Sequence, residues 1–408
     1  MSKYLNVFNT LAEYQAFSAS TEYVQPNVAL VKETNVLYYD YGDNKPHLNY
    51  TDYKVSSKSL VSNGGDTYGL GEKLCLNYIP SGVTSLKNAF SYWSSLEEVT
   101  CEIPDGVTNM SYTFYGCSSL VTAPEIPSGV TDMSYTFRNC SSLVTAPKIP
   151  SGVTDMRYTF YGCSSLVTAP EIPSGVTNMS YTFDGCSSLA TAHEIPSGVT
   201  SLNHTFRNCS SLVNAPDIPS GVTDMEYTFN GCSRLVNAPD IPSGVTSLYY
   251  TFNGCSSLVT APKIPSGVTD MNSTFDGCSS LVNAPDIPSG VTSLYYTFQG
   301  CSSLVTAPKI PSGVTDMNST FGGCSNLVTA PDIPSGVTNL NSTFDDCTSL
   351  KEVTFLHTTP PTYDYTLYGC SSLESIYVPD EAVDTYKTAT GWSQFASKFK
   401  PLPKKPSE

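Results

Sequence analysis

The sequence predicts a repeat solenoid with short parallel β-strands in each coil, preceded by a small α+β module and closed by a helical cap. Three observations predict it. Phenylalanine recurs every 23 residues from Phe114 to Phe344. Cysteine keeps the same interval from Cys117 to Cys370. Around both runs one phrase, C-S-S-L-V-T-A-P-x-I-P-S-G-V-T-x-M-x-x-T-F-x-G, returns with few changes. Units of this size cannot bury their apolar side alone and must stack on their neighbours. The expected division is residues 1–70 as a non-repeat attachment module, 71–378 as about twelve units, and 379–408 as the cap and tail.

Within the first part, Thr10 to Phe17 reads as a short helix, with a capping Thr and a Glu three residues later. Asn27 to Val31 and Val36 to Tyr39 read as two strands joined by a polar turn. Ser62-Asn63-Gly64-Gly65-Asp66 reads as a loop before the array.

Each unit presents recurring apolar positions, in the first regular one Cys117, Leu120, Ala123, Ile126, Val130, Met133 and Phe137. That spacing alone would argue for an amphipathic helix. The helix fails because every unit carries Gly and a Pro pair, as at Pro124 and Pro127. What remains is a chain that turns inward at each apolar residue. Proline cannot donate to a ladder, so the A-P-x-I-P side should be extended but incompletely paired. Parallel pairing is expected at Leu-Val-Thr-Ala or Val-Thr-x-Met. After Cys370, Pro379 to Lys387 and Gly391 to Ala396 read as two short cap helices, and Lys400 to Pro406 as an extended or disordered tail.

Twelve cysteines at one repeat position form a column rather than a disulfide framework. In-register side chains of stacked parallel coils point the same way, which suits a disulfide badly. A buried free-thiol ladder is the better reading, and Trp93 filling the same slot supports it. No C-x-x-C or Cys/His cluster is present for zinc, so neither metal nor cofactor is expected.

Charged residues are 14% of the chain and the net charge is -16, which excludes phosphate-rich partners: no nucleic acid and no anionic membrane surface. No apolar run is long enough to span a bilayer. The start is too polar for a signal peptide, so the chain is expected to stay where it is made, in the cytoplasm, until assembled.

C-x-x-L, then I-P, a paired apolar step and T-F-x-G before the next Cys resemble the BspA-like leucine-rich repeats, also 23 residues long, of gut bacteria and their phages. The family form has A-F where this chain has Thr136-Phe137, and places the Pro one residue earlier. The resemblance covers residues 79–378 and implies a leucine-rich-repeat solenoid. It also implies a surface adhesion or interaction protein, or a phage structural protein.

Catalysis needs convergent polar groups, and His47, His193, His204 and His357 are scattered. The chain is read as no enzyme. Three columns vary instead. Glu125, Lys148, Glu171, Glu194, Asp217, Asp240, Lys263, Asp286, Lys309 and Asp332 lie between the prolines, where neighbours of opposite sign can pair or simply face solvent. Thr122, Thr145, Thr168 and their equivalents form a hydroxyl and amide ladder. Tyr112, Tyr135, Tyr158, Tyr181, Tyr227, Tyr250 and Tyr296, with Tyr249 and Tyr295 beside them, form the candidate binding face. Exposed tyrosine rows suit sugars or protein, although a ladder that merely stabilises the coil has equal standing.

The expected function is that of a non-enzymatic structural or interaction protein. Its leading form is a virion surface component (fibre, decoration or adhesion protein) that docks to a protein assembly by its N-terminus. The solenoid would then face a host surface glycan or protein. The alternatives are a bacterial cell-surface adhesin and a passive spacer without ligand.

Overall fold

The computed structural model describes residues 5–8, 28–31, 36–39, 54–57, 74–79 and 82–403, and divides the chain into two compact units, Met1–Gly175 and Val176–Glu408. The expected helix at Thr10 to Phe17, the loop at 62–66 and the tail beyond Pro403 lie outside the described residues.

In the first unit, six strands form one sheet in chain order: β1 (Leu5–Phe8), β2 (Val28–Val31), β3 (Val36–Tyr39), β4 (Lys54–Ser57), β5 (Leu74–Tyr78) and β6 (Leu96–Val99). β2 and β3 form an antiparallel pair, with Leu30 opposite Leu37. β1 pairs β2 in parallel, β2 to β5 run antiparallel, and parallel pairing returns at β5 and β6, which lie one coil apart. From there the ladder continues into the repeats, because the Val121 amide donates to the Glu97 carbonyl at 3.1 Å. The sheet therefore has strands on both sides of residue 70, the expected end of the non-repeating part.

Beyond β6 each coil has the same plan, and Cys140 to Cys163 shows it. Val144 donates to the Val121 carbonyl of the preceding coil, beside a single parallel bridge between Thr145 and Thr122. Asp155 makes a second bridge to Asp132. Pairing thus occurs at both expected segments, but as one-residue bridges rather than continuous strands. Proline is the reason. Where the A-P step is missing, at Leu96–Val99, Glu352–Phe355 and Ser375–Val378, four-residue strands form. In β7 (Thr329–Ile333), which keeps Pro331, the register shifts between Thr329 and Asp332.

The core is a set of columns. Phe114, Phe137 and Phe160 are fully buried, with ring centres 5.5 and 5.6 Å apart in near-parallel stacks. In the second unit the stack from Phe206 to Phe321 repeats at 5.7 Å. The cysteines from Cys117 to Cys347 are buried and form no disulfide. Each of them whose bond is described points its thiol at a backbone carbonyl one coil back, as Cys163 Sγ does to Phe137 O at 3.1 Å. Burial pushes up the thiols of Cys140, Cys163, Cys209 and Cys232, and that of Cys370 at the end of the column to about 12, so they stay protonated packing groups. Threonine at the family's alanine position has a reason too. Thr159 is fully buried, and its hydroxyl donates to Met156 O at 2.8 Å and to Met133 O of the preceding coil at 3.1 Å.

The second unit ends in an all-parallel sheet of β7, β8 (Glu352–Phe355), β9 (Ser375–Val378) and β10 (Phe399–Pro401). A 3-10 turn at Asp380–Ala382 leads into α1 (Val383–Thr388), and a further 3-10 segment spans Ser393–Lys398. Trp392 is fully buried, edge-on to Phe355 and Tyr386, and its indole N–H donates to Pro361 O at 2.7 Å. The start of the tail takes the extended of its two expected forms: Phe399 packs on Tyr386, and residues 399–401 add the last strand.

Candidate functional site: the tyrosine ribbon

The tyrosine column lies where the chain turns between the buried Met and Phe. Thr136 N–H donates to Met133 O at 3.1 Å, Arg138 N–H to Tyr135 O at 3.2 Å, and Cys140 N–H to Phe137 O at 3.0 Å. The result is a ribbon of consecutive tight turns. Two residues in each coil's ribbon, four apart, take positive φ. Before each cysteine that residue is mostly glycine, as at Gly116 (φ 74), or asparagine, as at Asn139 (φ 60). Two residues before the phenylalanine it is mostly tyrosine: Tyr112, Tyr135, Tyr158 and Tyr181 have φ of 57–59°, and Tyr227, Tyr250 and Tyr296 lie close to them. A ring-bearing residue in the left-handed region is costly, by about 1–2 kcal/mol each. Ribbon amides bond forward to the next coil, as Tyr135 N–H does to Arg157 O at 3.1 Å, and this holds the strained turns in place.

The rings offset part of the strain by stacking. Tyr112 and Tyr135 lie 4.4 Å apart at 7° between planes, and Tyr135 and Tyr158 lie 4.6 Å apart at 10°. His204 continues the column between Tyr181 and Tyr227, 4.3 Å from each. Tyr250 follows Tyr227 at 4.9 Å. Stacked rings cover one another's faces and leave their edges and hydroxyls outward, and the column is half-buried throughout. Tyr249 meets Tyr227 and Tyr250 edge-on, and Tyr295 is 40% exposed beside Tyr296. Burial, reinforced by Tyr249, pushes the Tyr227 phenol up to about 12, so that hydroxyl is neutral at physiological pH. At Ser273, Ser319 and Ser342 the ring is absent but φ remains positive.

The residue following each phenylalanine was not singled out from the sequence, and it adds chemistry to this face. Arg138 lies over four rings, with its guanidinium carbon 5.4, 5.6, 5.3 and 4.7 Å from the centres of Tyr115, Tyr135, Tyr158 and Tyr161. In the second unit the same column holds Asp184 with Arg207 at 3.6 Å, and an amide ladder from Asn230 through Asn253 to Asp276. Burial pushes the Asp276 carboxyl up to about 6. The available signal was chemical variety: Tyr115, Arg138, Tyr161, Asp184 and Arg207 occupy one repeat position.

Other expectations fall as follows. The charge column from Glu125 to Asp332 is exposed, yet no ion pair joins Lys263, Asp286, Lys309 and Asp332 among the described residues. Solvation outweighs pairing there. In the first unit three A-P-x-I-P steps line an open groove of about 780 Å³ that carries Glu125, Lys148 and Glu171. His193 is exposed, His204 is in the ring stack and His357 is buried against Val337 O, so these three do not converge. Among the described residues no group of three His, Cys, Asp or Glu side chains could hold a metal ion. No described helix is long and apolar enough to cross a membrane.

Coils of parallel bridges around leucine, phenylalanine and cysteine columns define a leucine-rich-repeat protein. The family described as "BspA type Leucine rich repeat region (6 copies)" matches residues 74–190, 179–305 and 271–390, and the chain belongs to it. A leucine-rich repeat protein from Bacteroides ovatus shares the fold, with a TM-score of 0.63 and 24% identity over 81% of this chain and 84% of that one. A leucine rich cell surface protein from Faecalibacterium prausnitzii is a looser likeness, with a TM-score of 0.49 and 24% identity over 75% of this chain and 90% of that one. Looser again is a leucine-rich repeat protein from Eubacterium ventriosum, at 0.40 and 20% over 61% and 76%. No curated protein matches the chain.

Proposed function

We propose that this chain is a non-enzymatic interaction protein displayed on a biological surface, with the turn ribbon as its contact face. One observation carries the reading. Leu, Phe and Cys repeat with little change inside, whereas the ribbon positions, most of them half-buried, change from coil to coil among Tyr, His, Ser, Arg, Asp and Asn. Packing explains the first set and leaves the second free for recognition. Tyrosine edges with hydroxyls suit sugars and proteins alike. Family membership supports the same reading, since no enzyme family is indicated.

A virion component docking by residues 1–70 and a bacterial cell-surface adhesin are two settings for this role, and the ribbon favours neither. Antibody against the chain, applied to intact cells and to purified particles from a producing culture, tests the proposal. Label on the outer surface of either is expected and assigns the setting. Label that enters only after lysis would contradict surface display.

A further inference from the structure

We infer that Arg138 and the tyrosines around it form a recognition site for a carboxylate-bearing sugar. The chain has four arginines. Arg157 binds Asp155 through 2.7–3.1 Å contacts, and Arg207 has Asp184. Arg234 stands exposed on the surface. Arg138 differs from all three: it is half-buried among rings, and among the described residues its guanidinium has neither an ion pair nor a hydrogen bond. Its Nε is buried without an acceptor, while the two outer nitrogens are not sealed off in this way. A guanidinium carries five donors in a planar fork and no acceptor, so ring faces hold its charge but satisfy none of its N–H groups. Four tyrosines fix that fork in place, and its free end offers two parallel donors. A carboxylate is the group that matches them.

The surroundings choose the carrier. The chain bears a net charge of -16, and Asp132 and Asp155 lie on the adjoining bridge column, so a densely charged ligand meets repulsion. A single carboxylate on a hydroxyl-rich body avoids this and can use the phenol edges of Tyr115 and Tyr161, both half-buried beside the guanidinium. That description fits a sialic or uronic acid residue of a glycan better than an acidic peptide. The inference rests on the surface-contact reading, but surface labelling tests display and the following titration tests the sugar, so either can fail alone.

The test is calorimetric or NMR titration of the full chain with 3′-sialyllactose, lactose and a tetraglutamate peptide. Sialyllactose should bind at least about tenfold more tightly than lactose, in line with a charge-assisted fork. Arg138→Gln, a residue the same column already uses at Gln299, should remove that preference while leaving the unfolding midpoint nearly unchanged. Arg138→Lys keeps the charge but loses the fork, and should bind sialyllactose several-fold more weakly. Absence of sialyllactose binding, equal binding of lactose, or unaltered binding by Arg138→Gln would overturn the assignment. Tighter binding of tetraglutamate would replace the sugar with an acidic peptide and overturn it as well.

Discussion

The phenylalanine column and the tyrosine column run side by side through the coils, two residues apart in every repeat, yet they answer to different constraints. The phenylalanine rings sit fully buried at 5.5–5.7 Å, and the position accepts almost no other residue from Phe114 to Phe344. The tyrosine rings sit closer, at 4.3–4.9 Å, on a backbone that tyrosine ordinarily avoids, and the position also accepts His204, Ser273, Ser319 and Ser342. A buried column is held by volume. A ribbon column is held by the turn geometry around it, so its side chain is free to vary.

This contrast can be broken in graded steps. Phe160→Ala empties a fully buried site stacked on the Phe137 ring and should cost about 3–5 kcal/mol, read as a lowered midpoint of denaturant unfolding. Because the coils bond to their neighbours, the loss should spread beyond one repeat. Thr159→Ala restores the family's residue but removes a hydroxyl shared by two carbonyls. The expected cost is about 1 kcal/mol, since Met133 O keeps the Thr136 amide. A gain in stability would show that the threonine ladder serves something other than the fold. Tyr158→Ser should cost less again, under about 1 kcal/mol, because lost stacking is offset by relief of a ring from positive φ.

Two titrations sharpen the comparison on the second unit. Burial, then Arg207, lowers the His204 imidazole from 6.5 to about 4. A depressed histidine binds protons more tightly in the unfolded chain, so its neutral form supports stability above pH 6.5, and that support is lost as pH falls toward 4. His204→Tyr should therefore flatten the melting temperature across that window; an unchanged slope would place the titration elsewhere. Asp276 behaves in the opposite sense. Its carboxyl is raised from 3.8 to about 6, so folding is disfavoured as pH rises through that interval. Asp276→Asn extends the amide ladder from Asn253 and should raise the melting temperature at pH 7.5 but not at pH 4.

Much of the fold is legible in the sequence because its core positions repeat. Leu143, Met156 and Phe160 are identified as interior by recurrence alone, and the prolines at 147 and 150 forecast the limited pairing that reduces each coil to single bridges. The ribbon is less legible. Tyrosine carries no local signal for positive φ, so the strain at Tyr135 emerges only when the turns are built. Arg138 is harder still. Its ring partners come from its own coil and from both neighbours, and their convergence depends on which way each turn residue points. The edge that blunts the last coil, Phe399–Pro401, is only half legible: its prolines leave an extended and a disordered reading open, and the strand forms because Pro401 can still accept a hydrogen bond from a parallel neighbour.

The most direct test is to replace Tyr112, Tyr135 and Tyr158 together with serine and measure retention of the full chain on immobilised mucin, with unfolding followed on the same sample. Separate roles for core and ribbon predict cooperative unfolding close to that of the parent and a large loss of retention. Retention equal to the parent, or collapse of the fold, would contradict that separation.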